Sequence, residues 1–251
     1  YIPMCKHCSV ALTYHKSARQ LRCHYCGYTE IARRTCPECG GLEFTEQGTG
    51  TQRIEDELNN YFTEIGIEAN IERMDLDTTS RKGAHRAMLE RFAGGETDIL
   101  IGTQMVAKGL DIERVTLVGV VNADMQLFIP DFRASERTFQ LLTQVSGRAG
   151  RSGELKGEVL IQTAHPDNFA IRAAIAADFD LFFNSEINER NDVGFPPYTR
   201  FSLISMESED ENLLTKHATH FFAMIPTHPA VTKLGPALPN IEMIRSMHRR
   251  I

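Results

Sequence analysis

The sequence predicts an α/β fold, because short apolar runs alternate with amphipathic helical segments in the manner of a parallel sheet flanked by helices. A second observation adds a small module ahead of it. All six cysteines fall within the first 39 of 251 residues, as three Cys-x-x-Cys pairs. A third lies past residue 179, where the alternation lapses and a partial α+β C-terminal domain is expected. The domain organisation read from these features is 1–47, 48–178 and 179–251.

The elements follow in order. Residues 1–47 lack long apolar runs and are punctuated by Gly27, Gly40 and Gly41, as suits a metal-held module. "TQRIEDELNNYFTEIG" places Ile54, Leu58, Phe62 and Ile65 on one helical face, with Gly66 at the stop. "ANIERMD" reads as a strand and "TTSRKGAHRAMLERFAGG" as a helix closed by glycines. "TDILIGT" and "RVTLVGVVN" are nearly continuous apolar runs, as strands buried on both faces require. The twelve residues from Gln104 to Val115 are about the length of a parallel crossover. A helix is expected over "RASERTFQLLTQV" and a strand over "GEVLIQT". Helices near 167–176 and 178–190, a break at "GFPPY", a strand "RFSLISME", a helix "DENLLTKHATHFFAMI" and a loop-rich stretch at 228–240 complete the pattern.

Composition narrows the function. No apolar run reaches the eighteen or so residues needed to span a bilayer, and no secretory signal opens the chain. A net charge of −6 argues against holding nucleic acid through a broad basic field, while leaving room for phosphate contacts in a groove. Cysteines confined to one end point to metal ligation in a reducing cytoplasm rather than to a disulfide scaffold. The chain lacks an initiator Met and stops within "HRRI", so a piece of a longer protein is expected.

A Cys-x-x-Cys turn supplies two thiolates at the bite that zinc takes, and two such turns complete a tetrahedral site. Cys5/Cys8, Cys23/Cys26 and Cys36/Cys39 are the candidates, and three pairs cannot divide evenly between four-ligand ions. Spacing alone allows either neighbouring pairing. Unligated thiols, iron–sulfur ligation and substitution by His7, His15 or His24 are the alternatives. Six basic residues against four acidic ones in 1–47 give little support to a phosphate-binding surface. A partner-binding or shape-reading role is expected of the module.

Two stretches carry the chemistry of the α/β part. "QVSGRAGR" sets Arg148 and Arg151 three residues apart after a glycine turn, an arrangement suited to a transferring phosphate. "ILIGTQMVAKGLD" puts Thr103, Gln104, Lys108 and Asp111 just past a strand's carboxyl end, where open parallel sheets bind ligands. No G-x-x-x-x-G-K-[ST] phosphate loop is present in the sequence. Hydrolysis of ATP by this chain alone is therefore not expected.

"IGTQMVAKGLDIERVTLV" and "QVSGRAGR" resemble motifs V and VI of superfamily 2 helicases. With paired cysteines before "GTGTQRIEDEL", and with "LDTTSRKGAH" and "PDFRASER", the chain is similar to the bacterial replication-restart helicases. That resemblance implies a RecA-like second helicase lobe carrying a zinc insertion, within a 3′-to-5′ DNA helicase that uses ATP and Mg2+. It implies that Gln144, Arg148 and Arg151 face ATP across the cleft and that Gly109 and Asp111 edge the nucleotide site. Thr103, Gln104 and Lys108 would track the DNA strand. Forked or single-stranded DNA, primosome proteins and single-stranded DNA-binding protein are the implied partners of a cytoplasmic monomer. The family's interleaved pairing implies that Cys5, Cys8, Cys23 and Cys26 form one complete zinc site. Cys36 and Cys39 would be half of a second, their partners upstream of Tyr1. A non-catalytic adaptor that binds forked DNA or primosome proteins is the alternative function.

Overall fold

The computed structural model describes all residues except 16–17, 43–49, 76–77, 80–82, 104–111, 113 and 148–156. The described chain divides into two compact units. One combines Tyr1–Glu46 with Phe201–Ile251, and the other runs from Gln47 to Arg200. The helix after residue 178, grouped by sequence with the C-terminal segment, packs in the second of these units.

The N-terminal module is an antiparallel meander, β1 (Thr13–His15), β2 (Gln20–Arg22) and β3 (Thr29–Ile31), with Tyr14 opposite Leu21 and Leu21 opposite Glu30. Strands this short bury little. Leu12 and Leu21 share a small core with Cys5, Cys8 and Cys23, backed by Val10 and Tyr28. So little apolar area leaves a domain marginal unless a metal or another element adds to it.

In the Gln47–Arg200 unit, helix α1 (Thr51–Glu64) leans on β4 (Ile71–Met74). Ile54, Leu58 and Phe62 are half-buried as the periodicity requires, but Ile65 is exposed. The helix has ended by then: Gly66 turns left-handed at φ 72°, and the Ile67 amide returns to the Phe62 carbonyl at 3.0 Å. Helix α2 (Ala84–Gly94) follows and closes at Gly95, also left-handed. Strand β5 (Ile99–Gly102) lies parallel to β4, pairing Ile71 with Ile99 and Met74 with Gly102. Polar bridges tie the helices to this pair. Glu72 accepts two bonds from the Arg91 guanidinium and one from the Thr97 hydroxyl, each 2.7 Å. Arg73 donates to Glu55 of α1 at 3.0 Å.

The second parallel pair is β6 (Leu117–Val120) with β7 (Glu158–Ile161), in the register Leu117 to Glu158 and Val120 to Ile161. Between them in sequence come the short helix α3 (Asp124–Leu127) and α4 (Ala134–Ser146). Beyond β7 come α5 (Phe169–Ala176) and α6 (Phe179–Val193). Among the described residues the parallel strands thus form two pairs; α1 and α2 pack on the first, and Val120 and Ile161 of the second pack against a helical core.

The larger core lies here. Leu127, Phe139, Leu142, Ile171 and Phe182 are buried with four alanines, and Val120 and Ile161 of the strands pack against them. Alanines at 170, 173 and 174 give α5 a smooth face on which α4 approaches closely. Phe139 and Phe182 stack at 4.2 Å with rings 9° from parallel, joining α4 to α6. Caps fix the helix starts: Asn168 accepts from the Ala170 amide at 2.9 Å and Asp178 from that of Leu181 at 2.8 Å.

The C-terminal segment adds β8 (Met206–Ser208), helix α7 (Glu211–Met224) and the hairpin β9 (Met243–Ile244) with β10 (Met247–Arg250). These strands form an antiparallel sheet in the order β8-β10-β9, with α7 against β8 and β10. The strand expected over 200–207 contracts to Met206–Ser208. The residues that form it are those paired with β10, from Met206 opposite Arg250 to Ser208 opposite His248. Gly235 is forced at its position: at φ 109° a Cβ there would stand 2.9 Å from the Ile251 carbonyl oxygen.

Candidate metal centre

The first knuckle, Cys5-x-x-Cys8, precedes β1, and the second, Cys23-x-x-Cys26, fills the turn between β2 and β3. The β2–β3 ladder holds the second knuckle's ends together. Within it the Cys23 amide donates to the Tyr28 carbonyl at 2.8 Å and the Gly27 amide to the Cys23 carbonyl at 2.9 Å. Gly27 sits at φ 77°, a left-handed turn that a side chain would strain.

Folding brings the four sulfurs of Cys5, Cys8, Cys23 and Cys26 within 4.8 Å of one another, with Cys5 Sγ 3.6 Å from Cys26 Sγ. Zinc–sulfur bonds of about 2.3 Å at tetrahedral angles place sulfurs roughly 3.8 Å apart, so the cluster has the size of one zinc ion. Backbone amides point at the sulfurs: His7 N–H at Cys5 (3.4 Å), Tyr28 N–H at Cys26 (3.5 Å) and Arg245 N–H at Cys8 (3.3 Å). Such donors stabilise thiolate rather than thiol.

The thiols respond unequally. Burial pushes Cys5 up to about 12 and raises Cys8 as well. Burial also opposes ionisation of Cys23, but the amides of Cys26 and Tyr25 and the thiols of Cys26 and Cys5 outweigh it, drawing Cys23 down to about 7. As bare thiolates, four sulfurs packed this closely would repel one another. A divalent ion removes the conflict by taking all four as thiolates, and the donor set is that of structural zinc.

Cys36 and Cys39 are not part of this cluster. They nevertheless form a second copy of the same turn. The Cys36 amide donates to the Gly41 carbonyl at 2.8 Å, the Gly40 amide to the Cys36 carbonyl at 2.9 Å, and Gly40 stands at φ 69°. The amides of Cys39 and Glu38 lower the Cys36 thiol below its ordinary value. Among the described residues no further His, Cys, Asp or Glu gathers around this pair. The turn is shaped for metal with two ligands in hand.

The motor motifs stand differently. Thr103 is exposed just past the carboxyl end of β5, and Gln144 is exposed in the last turn of α4. Gln104, Lys108, Gly109, Asp111, Arg148 and Arg151 lie outside the described residues. The "PDFRASER" stretch is described and builds the start of α4. The Asp131 carboxylate accepts from the Arg133 amide at 2.9 Å and from the guanidiniums of Arg133 and Arg137 at 3.0 Å. These contacts, led by the Arg133 side chain, hold Asp131 at about 2.

Sequence reasoning did not find the contribution of Arg245 and Ser246 to the metal centre. A two-residue hairpin with both centres left-handed normally advertises itself with Asn or Gly. Arg-Ser carries no such signal.

A four-cysteine ribbon ahead of an α/β lobe whose sequence resembles helicase motifs defines a class of chain, a zinc ribbon joined to a helicase-family C-terminal domain. The comparisons agree. The PriA DNA helicase Cys-rich region matches residues 5–30, and the helicase conserved C-terminal domain matches residues 48–153. Replication restart protein PriA of Bacillus subtilis is 45% identical over 99% of this chain and 31% of its own length. The same protein of Synechocystis is 41% identical over 99% of the chain and 30% of its length. That of Chlamydia trachomatis is 47% identical over 80% of the chain and 26% of its length. The chain belongs to the PriA family and spans about a third of the length of the relatives it matches.

Proposed function

We propose that this chain is the ATP-sensing and DNA-tracking lobe, with its zinc ribbon, of a 3′-to-5′ helicase that restarts stalled replication forks. The observation that carries the reading is the order of parts. A zinc ribbon of the PriA type and a helicase C-terminal domain occur in one chain, alongside similarity to replication restart proteins that runs nearly end to end.

In this reading Arg148 and Arg151 neutralise charge on the transferring phosphoryl group, and Gln144 orients the nucleotide's reactive end. Gly109 and Asp111 edge the nucleotide site, while Thr103, Gln104 and Lys108 hold the DNA strand by its backbone. The position of Thr103 at the carboxyl end of a parallel strand supports that assignment. ATP and Mg2+ bind mainly through a phosphate loop on another lobe. The ribbon docks a protein partner or reads the shape of a fork, with primosome proteins and single-stranded DNA-binding protein as the expected partners. The protein works as a cytoplasmic monomer.

The test is fork-stimulated ATP hydrolysis by a full-length PriA-family protein that includes this segment. Arg151→Ala should lower the turnover number by about a thousandfold, the loss expected on removing an arginine finger. ATP binding should survive the change. An unchanged turnover number would remove Arg151 from the chemistry.

A further inference from the structure

The two knuckles of the four-cysteine cluster are finished in different ways. In the second, Gly27 turns left-handed, its amide returns to Cys23, and the Tyr28 amide caps the Cys26 sulfur. The first has Ser9 in the corresponding place, without a left-handed backbone. Its missing bonds are supplied from the far end of the chain. The Ser9 amide donates to the Met243 carbonyl at 2.9 Å, and the Cys8 sulfur accepts from the Arg245 amide at 3.3 Å.

The β9–β10 hairpin is fitted to the ribbon on both sides of that contact. The Ser246 amide donates to the His7 carbonyl at 2.7 Å, and Arg245 Nε donates to the Tyr25 carbonyl at 3.2 Å. Ile244 packs against the cluster of buried cysteines. Arg245 and Ser246 are both left-handed, at φ 52° and 64°. Side chains other than glycine resist that conformation, so the turn depends on what it is docked against.

We propose that the Arg245–Ser246 turn is the closing element of the metal centre. The Arg245 amide positions the Cys8 thiolate, so metal loading of the ribbon and docking of the C-terminal hairpin are one coupled equilibrium. The proposal rests on the reading that the four cysteines hold zinc. Linkage then requires both directions: metal stabilises the docked hairpin, and the docked hairpin tightens the hold on metal by the same factor. A ribbon with too small a core thereby reports its metal state to a domain more than two hundred residues away in sequence.

The test begins with zinc per chain by elemental analysis, then amide hydrogen exchange across 243–251 in the loaded chain and after chelation. Exchange there should quicken at least tenfold when metal is removed. Two variants separate the amide from the side chain. Arg245→Gly keeps the amide and suits the left-handed turn but loses the bond to Tyr25. Arg245→Val keeps an amide on a β-branched residue that resists the turn. Zinc release to a chromophoric chelator should stay within about threefold of the parent for Gly and rise about tenfold or more for Val. The sulfur-to-metal charge-transfer bands of the cobalt-loaded chain should shift for Val alone. Loaded zinc with hairpin exchange indifferent to metal would overturn the coupling, as would equal release from the two variants. A chain without zinc would overturn the zinc reading and this proposal with it.

Discussion

At the scale of single residues, the metal centre and Asp131 make separable demands. Cys23 sits where amides and thiols converge, so Cys23→Ser should lose zinc and release the ribbon's small core. Elemental analysis and the near-ultraviolet signal of Tyr25 and Tyr28 report the two effects together. Asp131 has a folded pKa of about 2, below the ordinary carboxylate value, chiefly because of the Arg133 side chain. A depressed acid contributes stability that is fully present above its unfolded pKa and is lost as pH falls through its folded one. The chain should therefore lose this contribution between about pH 4 and pH 2. Asp131→Asn should flatten that limb of a stability-against-pH curve, and an unaltered limb would show that the Asp131 contacts add nothing.

Elements are held to one another by a few side chains, and their removal is the measure of that. Phe182 is buried and stacked on Phe139, joining α6 to α4. Phe182→Ala should cost about 3–5 kcal/mol, read as a lower urea midpoint with an unchanged slope. Arg190 ties the same two helices by another route, bonding Glu186 at 2.7 Å and Glu136 at 2.8 Å, with the Phe132 ring 5.2 Å away. Both Arg190 and Glu186 are largely buried, so Arg190→Met strands a carboxylate and should destabilise by about 3 kcal/mol. Adding Glu186→Met should recover most of that loss.

Elements whose burial pattern is set by their own neighbours were readable in advance. The apolar runs became β5, β6 and β7, and helix limits followed glycine and proline signals such as Gly66, Gly95 and Gly194. Burial on both faces, expected of the run at β6, is not seen there; in β6 and β7 exposed residues such as Leu117 and Leu160 alternate with half-buried ones. What escaped were features fixed by distant partners. The strand expected over 200–207 is limited to Met206–Ser208, the residues that pair with β10, a partner distant in sequence. The left-handed Arg245–Ser246 turn is stabilised by the ribbon, and local propensity argues against it. The ligand set of the metal centre was legible as residue types, yet spacing left the pairing open. Folding chose Cys5, Cys8, Cys23 and Cys26 by bringing β2 and β3 beneath the first knuckle.

The whole molecule combines a metal-organised unit with an α/β unit that has the helicase C-terminal domain and no phosphate loop. Without that loop, the isolated chain should turn over no ATP above a no-enzyme blank, with or without forked DNA. Turnover abolished by Arg151→Ala would contradict this. The central structural claim is more directly reached through the metal. Zinc should be counted per chain in protein purified without added metal. One zinc per chain, in an all-sulfur tetrahedral environment by X-ray absorption, is the result expected of four gathered cysteines and one half-made turn. No zinc, or two tightly held zincs in a monomer, would contradict it.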